Sequence, residues 1–275
     1  MVSVWGMRIR VVDAFAERPF TGNPAGVCVL ESGPWPDDSW MQSVAAEMNH
    51  AETAFVRPSE RADADWDLRW FTPTLEERLC GHATLATTHA LAADGLVSGK
   101  VAFSSLSGIL IATVADDGIT LDFPINRPTA TPAPDGLAAA LQAEPLETYV
   151  TGELRDLLVV LGDEATVRAV VPDFDALAGI IQRGNLRGVV VTAAGSSEYD
   201  FVSRFFAPAA GIPEDPVTGS AHTSLAPYWS ERLGRPELTG YQASPRGGIV
   251  HVIPAGDRVH LKGNAITILD GELFI

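Results

Sequence analysis

Apolar and polar positions alternate with a period of two along most of the chain, and only a few windows switch to a helical period. Arg8 to Phe15 sets Ile9, Val11 and Ala14 among polar neighbours, the pattern of a half-buried strand in an N-terminus that reads MVSVWGMRIRVVDAF. Thr21-Gly22-Asn23-Pro24 then turns the chain into a second strand over Gly26 to Leu30. Trp40, Val44 and Met48 recur every four residues, which predicts a helix, capped at Asp37 or Asp38, with those three on its core face. It stops at Asn49-His50, and Thr53 to Val56 begins another strand, leaving Glu52 in the junction. Leu68 to Phe71 is the next strand, followed by an acidic loop over Leu75 to Leu79 and a helix from about His82 to Ala93. That helix is so poor in charge that it should be buried, with sheet around most of its circumference.

Further strands are expected in Lys100 to Phe123, with a turn at Asp116-Asp117-Gly118, before Pro124, Pro128, Pro132 and Pro134 impose a stiff, extended connection. The domain boundary is placed there: an N-terminal lobe over 1–124, completed by a closing strand near 264–275, and a C-terminal lobe over 125–263. The second lobe reads as a helix near Gly136 to Gln142, strands at Thr148 to Leu154 and Leu157 to Leu161, and a helix over Phe174 to Gln182 capped by Asp173. Strands at Gly188 to Thr192 and Tyr199 to Phe206 follow, and later a hairpin from Gly247 to Leu261 and a last strand from Ala265 to Leu269. Pro227 falls inside a helical window and predicts a kink or a restart there.

One unit occurs twice. Arg69-Trp70-Phe71-Thr72-Pro73 recurs as Arg204-Phe205-Phe206-Ala207-Pro208, and Gly81-His82-Ala83 recurs, after three extra loop residues, as Gly219-Ser220-Ala221. In both copies an aromatic-rich strand crosses an acidic loop and turns through a glycine into a helix of small and apolar residues. The expected architecture is two similar lobes facing each other across a pseudo-twofold axis, with the active site between the two turns.

The bulk numbers narrow the partners. A hydrophobic fraction of 46% supports a core in each half, and a net charge of −16, from 35 acidic and 19 basic residues without a basic patch, argues against nucleic acid and anionic membranes. No apolar run approaches the roughly 20 residues of a membrane span, and the N-terminus is no signal peptide, so a cytoplasmic protein is expected. Cys28 and Cys80 form neither a disulfide framework nor a metal-binding spacing and read as small core residues.

The two glycine turns carry the first candidate chemistry. Gly81 and Gly219-Ser220 each open a helix, where unpaired backbone N–H groups and the helix dipole can receive a carboxylate; taken singly, each is also an ordinary turn. Glu52, among Ala51, Ala54 and Phe55, is a candidate general acid/base because apolar neighbours push a carboxylate's pKa upward. Asp215, before Pro216, suits either a turn or a second carboxylate of the site. His82 can hydrogen-bond a substrate or serve the fold alone; His82 and His89 share a helix face, but a metal would need a third ligand close by, so neither metal nor cofactor is expected. A small-molecule carboxylate is the expected partner.

Together the segments Asp13-Ala14-Phe15, Phe20-Thr21-Gly22-Asn23-Pro24-Ala25, Met48-Asn49-His50-Ala51-Glu52-Thr53-Ala54-Phe55-Val56, Leu79-Cys80-Gly81-His82-Ala83-Thr84 and Glu214-Asp215-Pro216-Val217-Thr218-Gly219-Ser220-Ala221-His222 closely resemble the PhzF-like isomerases of phenazine biosynthesis. The resemblance implies an α+β fold of the diaminopimelate-epimerase type, in which two lobes each wrap a curved, mostly antiparallel sheet around a central helix, with the site in the cleft between them. It also implies cofactor-free proton transfer and a homodimer. Glu52 would move the proton between substrate carbons, His82 and Asp215 would hydrogen-bond the substrate, and Gly81, Gly219 and Ser220 would hold its polar groups. A racemase or epimerase with Glu52 and Asp215 as paired bases, and a non-catalytic carboxylate-binding protein, are the alternatives. Ala51, Arg78 and Thr223-Ser224 depart from the residues common in that family and leave the substrate open.

Overall fold

The structure is a computed structural model that describes residues 6–196 and 198–274. The first five residues of the N-terminal strand pattern lie outside the described residues. The chain divides into two compact units, residues 1–122 with 262–275 and residues 123–261.

The first unit holds β1 (Gly6–Ala14), β2 (Asn23–Val29), α1 (Asp38–Met48), β3 (Glu52–Pro58), β4 (Trp66–Phe71), β5 (Glu76–Glu77), α2 (Gly81–Ala93), β6 (Gly99–Ser105), β7 (Gly108–Ala115) and β8 (Gly118–Pro124). The second holds β9 (Pro128–Ala130), α3 (Leu137–Leu141), β10 (Glu147–Thr151), β11 (Leu157–Val160), α4 (Glu164–Ala169), α5 (Phe174–Arg183), β12 (Val189–Ala194), β13 (Phe201–Ala207), β14 (Ile212–Asp215), α6 (Gly219–Leu233), β15 (Leu238–Gln242), β16 (Gly248–Ala255) and β17 (Arg258–Gly263). The last strand, β18 (Ala265–Phe274), pairs antiparallel with β1, so the chain's end completes the first unit's sheet. It is longer than the pattern suggests because its far half alternates weakly and pairs along β1 as far as Gly6.

The two units repeat one pairing scheme. In the first, β1 and β2 are antiparallel, β2 and β3 parallel, β3 and β4 antiparallel, and β4 carries β5 antiparallel and β6 parallel, with β7 antiparallel to β6. In the second, β10, β11, β12, β13, β14, β15 and β16 follow the same order with the same sense at every step. Both sheets are therefore mixed but mostly antiparallel. The short strands β5 and β14 fall where the sequence predicts loop, since two to four residues, two of them charged in each case, give no periodicity.

The charge-poor α2 is buried from His82 to Thr88 and again at Ala90 and Leu91, and it packs against β1, β2, β3, β7 and β18. Strands from both ends of the pairing order thus reach the same helix, which requires the sheet to curve around it. Its buried threonines donate back to carbonyls one turn earlier, Thr84 to Cys80, Thr87 to Ala83 and Thr88 to Thr84, so no hydroxyl is stranded.

In the second unit α6 runs as one helix through Pro227, so the restart with proline in a first turn does not occur. The proline removes the N–H that would have bonded the Thr223 carbonyl. The Asn126 backbone N–H fills that place at 3.2 Å, and its side-chain amide adds a bond to Thr223 Oγ1. The proline-rich connection therefore supplies the donor that the helix lacks at Pro227.

One buried ion pair is duplicated with the fold. Arg69 on β4 grips Glu76 on β5 with two bonds of 2.7 Å, and Arg204 on β13 grips Glu214 on β14 at 2.7 and 2.9 Å. The guanidinium stacks over Phe71 in one unit and Phe206 in the other. Arg204 also donates to the Val167 and Val170 carbonyls, whereas Arg69 has the exposed Asp38 instead. Replacing Arg204 by Met leaves Glu214 and those carbonyls unpaired and should cost about 3–5 kcal/mol in urea unfolding. The same change at Arg69 should cost less, because Asp38 is open to water; equal losses would contradict this assignment.

Candidate active site

The first unit gathers its candidate residues where β2, β3 and α2 begin. Asn49, in a left-handed conformation, ends α1 and turns the chain into β3, whose first residue, Glu52, lies opposite Ala25 of β2. Gly81 and His82 open α2, and Cys80 occupies the position before it. His82 Nε2 lies 3.1 Å from Glu52 Oε2, a contact at ion-pair distance though poorly aligned for a hydrogen bond. The Asn23 side-chain amide lies 3.2 Å from His82 Nδ1, while Nε2 faces Glu52. Cys80 Sγ approaches the same Nδ1 at 3.5 Å.

All three side chains are largely buried, at 13% exposure for Glu52, 7% for His82 and 5% for Cys80 as a residue. Burial presses the Glu52 pKa upward, as its apolar neighbours suggest, but the charge of His82 and close polar contacts with His82 and Cys80 outweigh it, and Glu52 is held below 4.5. The sequence expectation of a raised pKa is thereby corrected. For His82, burial lowers the pKa, yet Cys80 and Glu52 carry it well above 6.5. The resting pair is a carboxylate beside an imidazolium. Cys80, which burial chiefly pushes up to about 11, is a thiol at neutral pH.

Cys80 is accordingly part of this cluster and not the inert core residue read from sequence; Cys28, fully buried in β2, is one. Glu52, Cys80 and His82 present donor atoms within 4.8 Å of one another. His89, on the same helix face as His82, instead meets Thr267 Oγ1 at 3.1 Å. Arg78 is exposed and bonds the Leu106 carbonyl.

The second unit holds Asp215, Gly219 and Ser220 around the start of α6. Thr218 Oγ1 donates to Asp215 Oδ2. Gln242, buried at the end of β15, ties the turn together: its Oε1 accepts the Thr218 N–H at 2.8 Å, and its Nε2 donates to the Asp215 carbonyl at 2.8 Å. Ser220 Oγ accepts from Arg187 Nη1 at 2.8 Å, while Arg187 Nε and Nη2 grip Asp156 at 2.8 and 2.6 Å. Asp156 is fully buried, and burial raises its pKa against the pull of Arg187. His222 donates through Nδ1 to the Thr218 carbonyl at 2.9 Å; burial lowers its pKa to about 4, so it is a neutral support of the turn.

Neither α2 nor α6 has a side-chain cap, whereas Asp163 and Asp173 cap α4 and α5. The register also identifies counterparts. Thr53 and Val189 face Phe71 and Phe206, so Glu52 corresponds to Gly188; Trp70 faces Glu77 as Phe205 faces Asp215, so Asp215 corresponds to Glu77. Asn23, Arg187, Asp156 and Gln242 escaped the sequence reading. Asn23 looked like a turn residue, and the others stand in plain strand or loop context with no local signal.

A family model described as phenazine biosynthesis-like protein matches residues 12–271. The chain is 45% identical over 271 residues to an uncharacterised isomerase of Halalkalibacterium halodurans, covering 97% of this chain and 98% of that one. It is 41% identical to a phenazine biosynthesis-like domain-containing protein of Rattus norvegicus, over 96% and 98% of the two chains. The crystal structure of a PhzF family protein from Enterococcus faecalis superposes with a TM-score of 0.90 at 43% identity, covering 98% of this chain and all of that one. A hydroxyproline epimerase from Agrobacterium vitis, at 11% identity and a TM-score of 0.65 over 99% of this chain and 94% of that one, shares the fold alone. The chain belongs to the phenazine biosynthesis-like protein family.

Proposed function

We propose that the protein is a cofactor-independent isomerase that relocates a proton within a small carboxylate-bearing substrate, with Glu52 as the general base and acid. The observation that carries this reading is the buried contact of Glu52 with His82, 3.1 Å, at the mouth of an uncapped helix. Glu52 starts as the carboxylate and takes a proton from a substrate carbon. Protonation breaks its attraction to His82, so the neutral acid is short-lived and returns the proton promptly to another carbon. That is the behaviour relocation requires. His82 orients Glu52 through Nε2 and offers a donor to negative charge developing on the substrate. The N–H groups that open α2 at Gly81 suit a substrate carboxylate, and in the second unit the start of α6 at Gly219 and Ser220 offers the same kind of donors. The isomerase names of relatives agree with this class of reaction.

The paired-base epimerase is the weaker reading. Enzymes that invert a centre with matched bases draw them from equivalent positions, and here Glu52 answers to Gly188 and Cys80 to Thr218. A panel of small carboxylic acids incubated in heavy water and followed by NMR tests the main reading. Wild-type protein should relocate a proton in at least one member and introduce deuterium, and Glu52→Gln should slow this by about a hundredfold or more. Binding of a ligand with no exchange would identify a non-catalytic binding protein instead, and full activity in Glu52→Gln would remove Glu52 from the chemistry.

The pH profile separates the role of His82. Because Glu52 is held below 4.5, kcat/KM should stay level as pH falls toward 4.5 and drop only beneath it, where the base becomes protonated. His82→Gln removes the main opposition to burial, so the acid limb should move to higher pH. A limb that stays in place or moves lower would show that His82 does not set the Glu52 charge. Asp215→Asn should reduce kcat/KM without moving that limb.

A further inference from the structure

We propose that Glu52, Cys80 and His82 form an inhibitory binding site for a thiophilic divalent cation of the zinc type. One thiol sulfur, one imidazole nitrogen and one carboxylate oxygen lie within 4.8 Å of one another. With Nε2 as the imidazole ligand, its 3.1 Å separation from Glu52 Oε2 is close to the ligand-to-ligand spacing of a tetrahedral centre with bonds of roughly 2.0–2.3 Å. Three protein donors leave a fourth position for water or an anion. The mixed sulfur, nitrogen and oxygen set selects zinc-like ions over magnesium and calcium, which prefer oxygen alone. The Asn23 side-chain amide, 3.2 Å from His82 Nδ1, lies where the free ring N–H of a metal-bound histidine finds its outer partner.

The repeat provides an internal control. At the corresponding positions the second unit has Gly188, Thr218 and Ser220, without thiol, imidazole or carboxylate, so the fold itself does not create this donor set. Coordination transfers the Cys80 thiol proton to solvent and occupies Glu52 and His82 together. That inhibition rests on the proposed role of Glu52, whereas the binding does not.

Titration with Cd2+ alone, followed by the ultraviolet thiolate-to-metal charge-transfer band, reads the site without substrate. Wild-type protein should bind one equivalent, and Zn2+ should displace it. Cys80→Ser should abolish the band and His82→Gln should weaken binding by at least about tenfold, while Cys28→Ser keeps both, each variant being checked for its fold by circular dichroism. No band in the wild type, or a band that persists in Cys80→Ser and vanishes in Cys28→Ser, overturns the site. With a substrate in hand, Zn2+ should stop deuterium exchange and a chelator should restore it. Zn2+ that binds through Cys80 without slowing exchange overturns the inhibition alone, and Glu52→Gln activity tells whether the role of Glu52 has failed with it.

Discussion

The arginine-to-glutamate clamp between β4 and β5, and again between β13 and β14, is the constraint on which each half of the molecule depends. The segment between the aromatic strand and the helix is short and acidic, and its buried apolar residues Cys80 and Val217 lie only at its far end, beside the helix. Two charge-assisted bonds with little exposure fix its path. Once Glu76 and Glu214 are held, the next residues have one route to the helix start, and Gly81 and Gly219 are delivered at the end of it. The aromatic ring beneath each guanidinium keeps water from competing for the pair.

From that shared frame the two units diverge in charge and not in backbone. The first places a carboxylate, a thiol and an imidazole around its helix start. The second has glycine, threonine and serine there, and brings charge from elsewhere: Asp215 fixed by Thr218 and Gln242, and Arg187 fixed by the buried Asp156. Gly188 cannot accept a side chain, since a Cβ would come within 2.5 Å of Phe205 Cζ and 2.9 Å of the Phe206 carbonyl. Packing thus bars from the second unit a copy of the Glu52 side chain, and the asymmetry is built into the core.

Much of this was legible in the sequence because it rests on local pattern. The duplicated unit, the buried charge-poor helix, and Glu52, His82, Asp215 and the two glycine turns all announce themselves through spacing or through neighbours of unusual type. What was not legible depends on contacts between residues far apart in the chain. Cys80 looked inert because its partners lie one turn ahead in a helix and on a distant strand. The donor that replaces the missing Pro227 N–H in α6 comes from Asn126, which lies in the connection that looked like a spacer. Gln242 is an unremarkable strand residue until its amide is found bridging Asp215 and Thr218.

The direction of the Glu52 pKa is the most instructive of these differences. Apolar neighbours in sequence report desolvation, and desolvation is the largest single influence on this carboxylate. It still does not decide the charge, because His82 reaches Glu52 from another element and burial strengthens their attraction along with the penalty. A lone buried glutamate would be a strong base that rests protonated. The pair instead rests ionised, ready to accept a proton and poorly able to keep it. The Asn23 side-chain amide, 3.2 Å from Nδ1, meets the other nitrogen of the ring and leaves Nε2 facing Glu52. The chemistry proposed for the site therefore depends on a turn asparagine, a helix-start histidine and a strand-start glutamate meeting at one point, which the curvature of the sheet around α2 brings about.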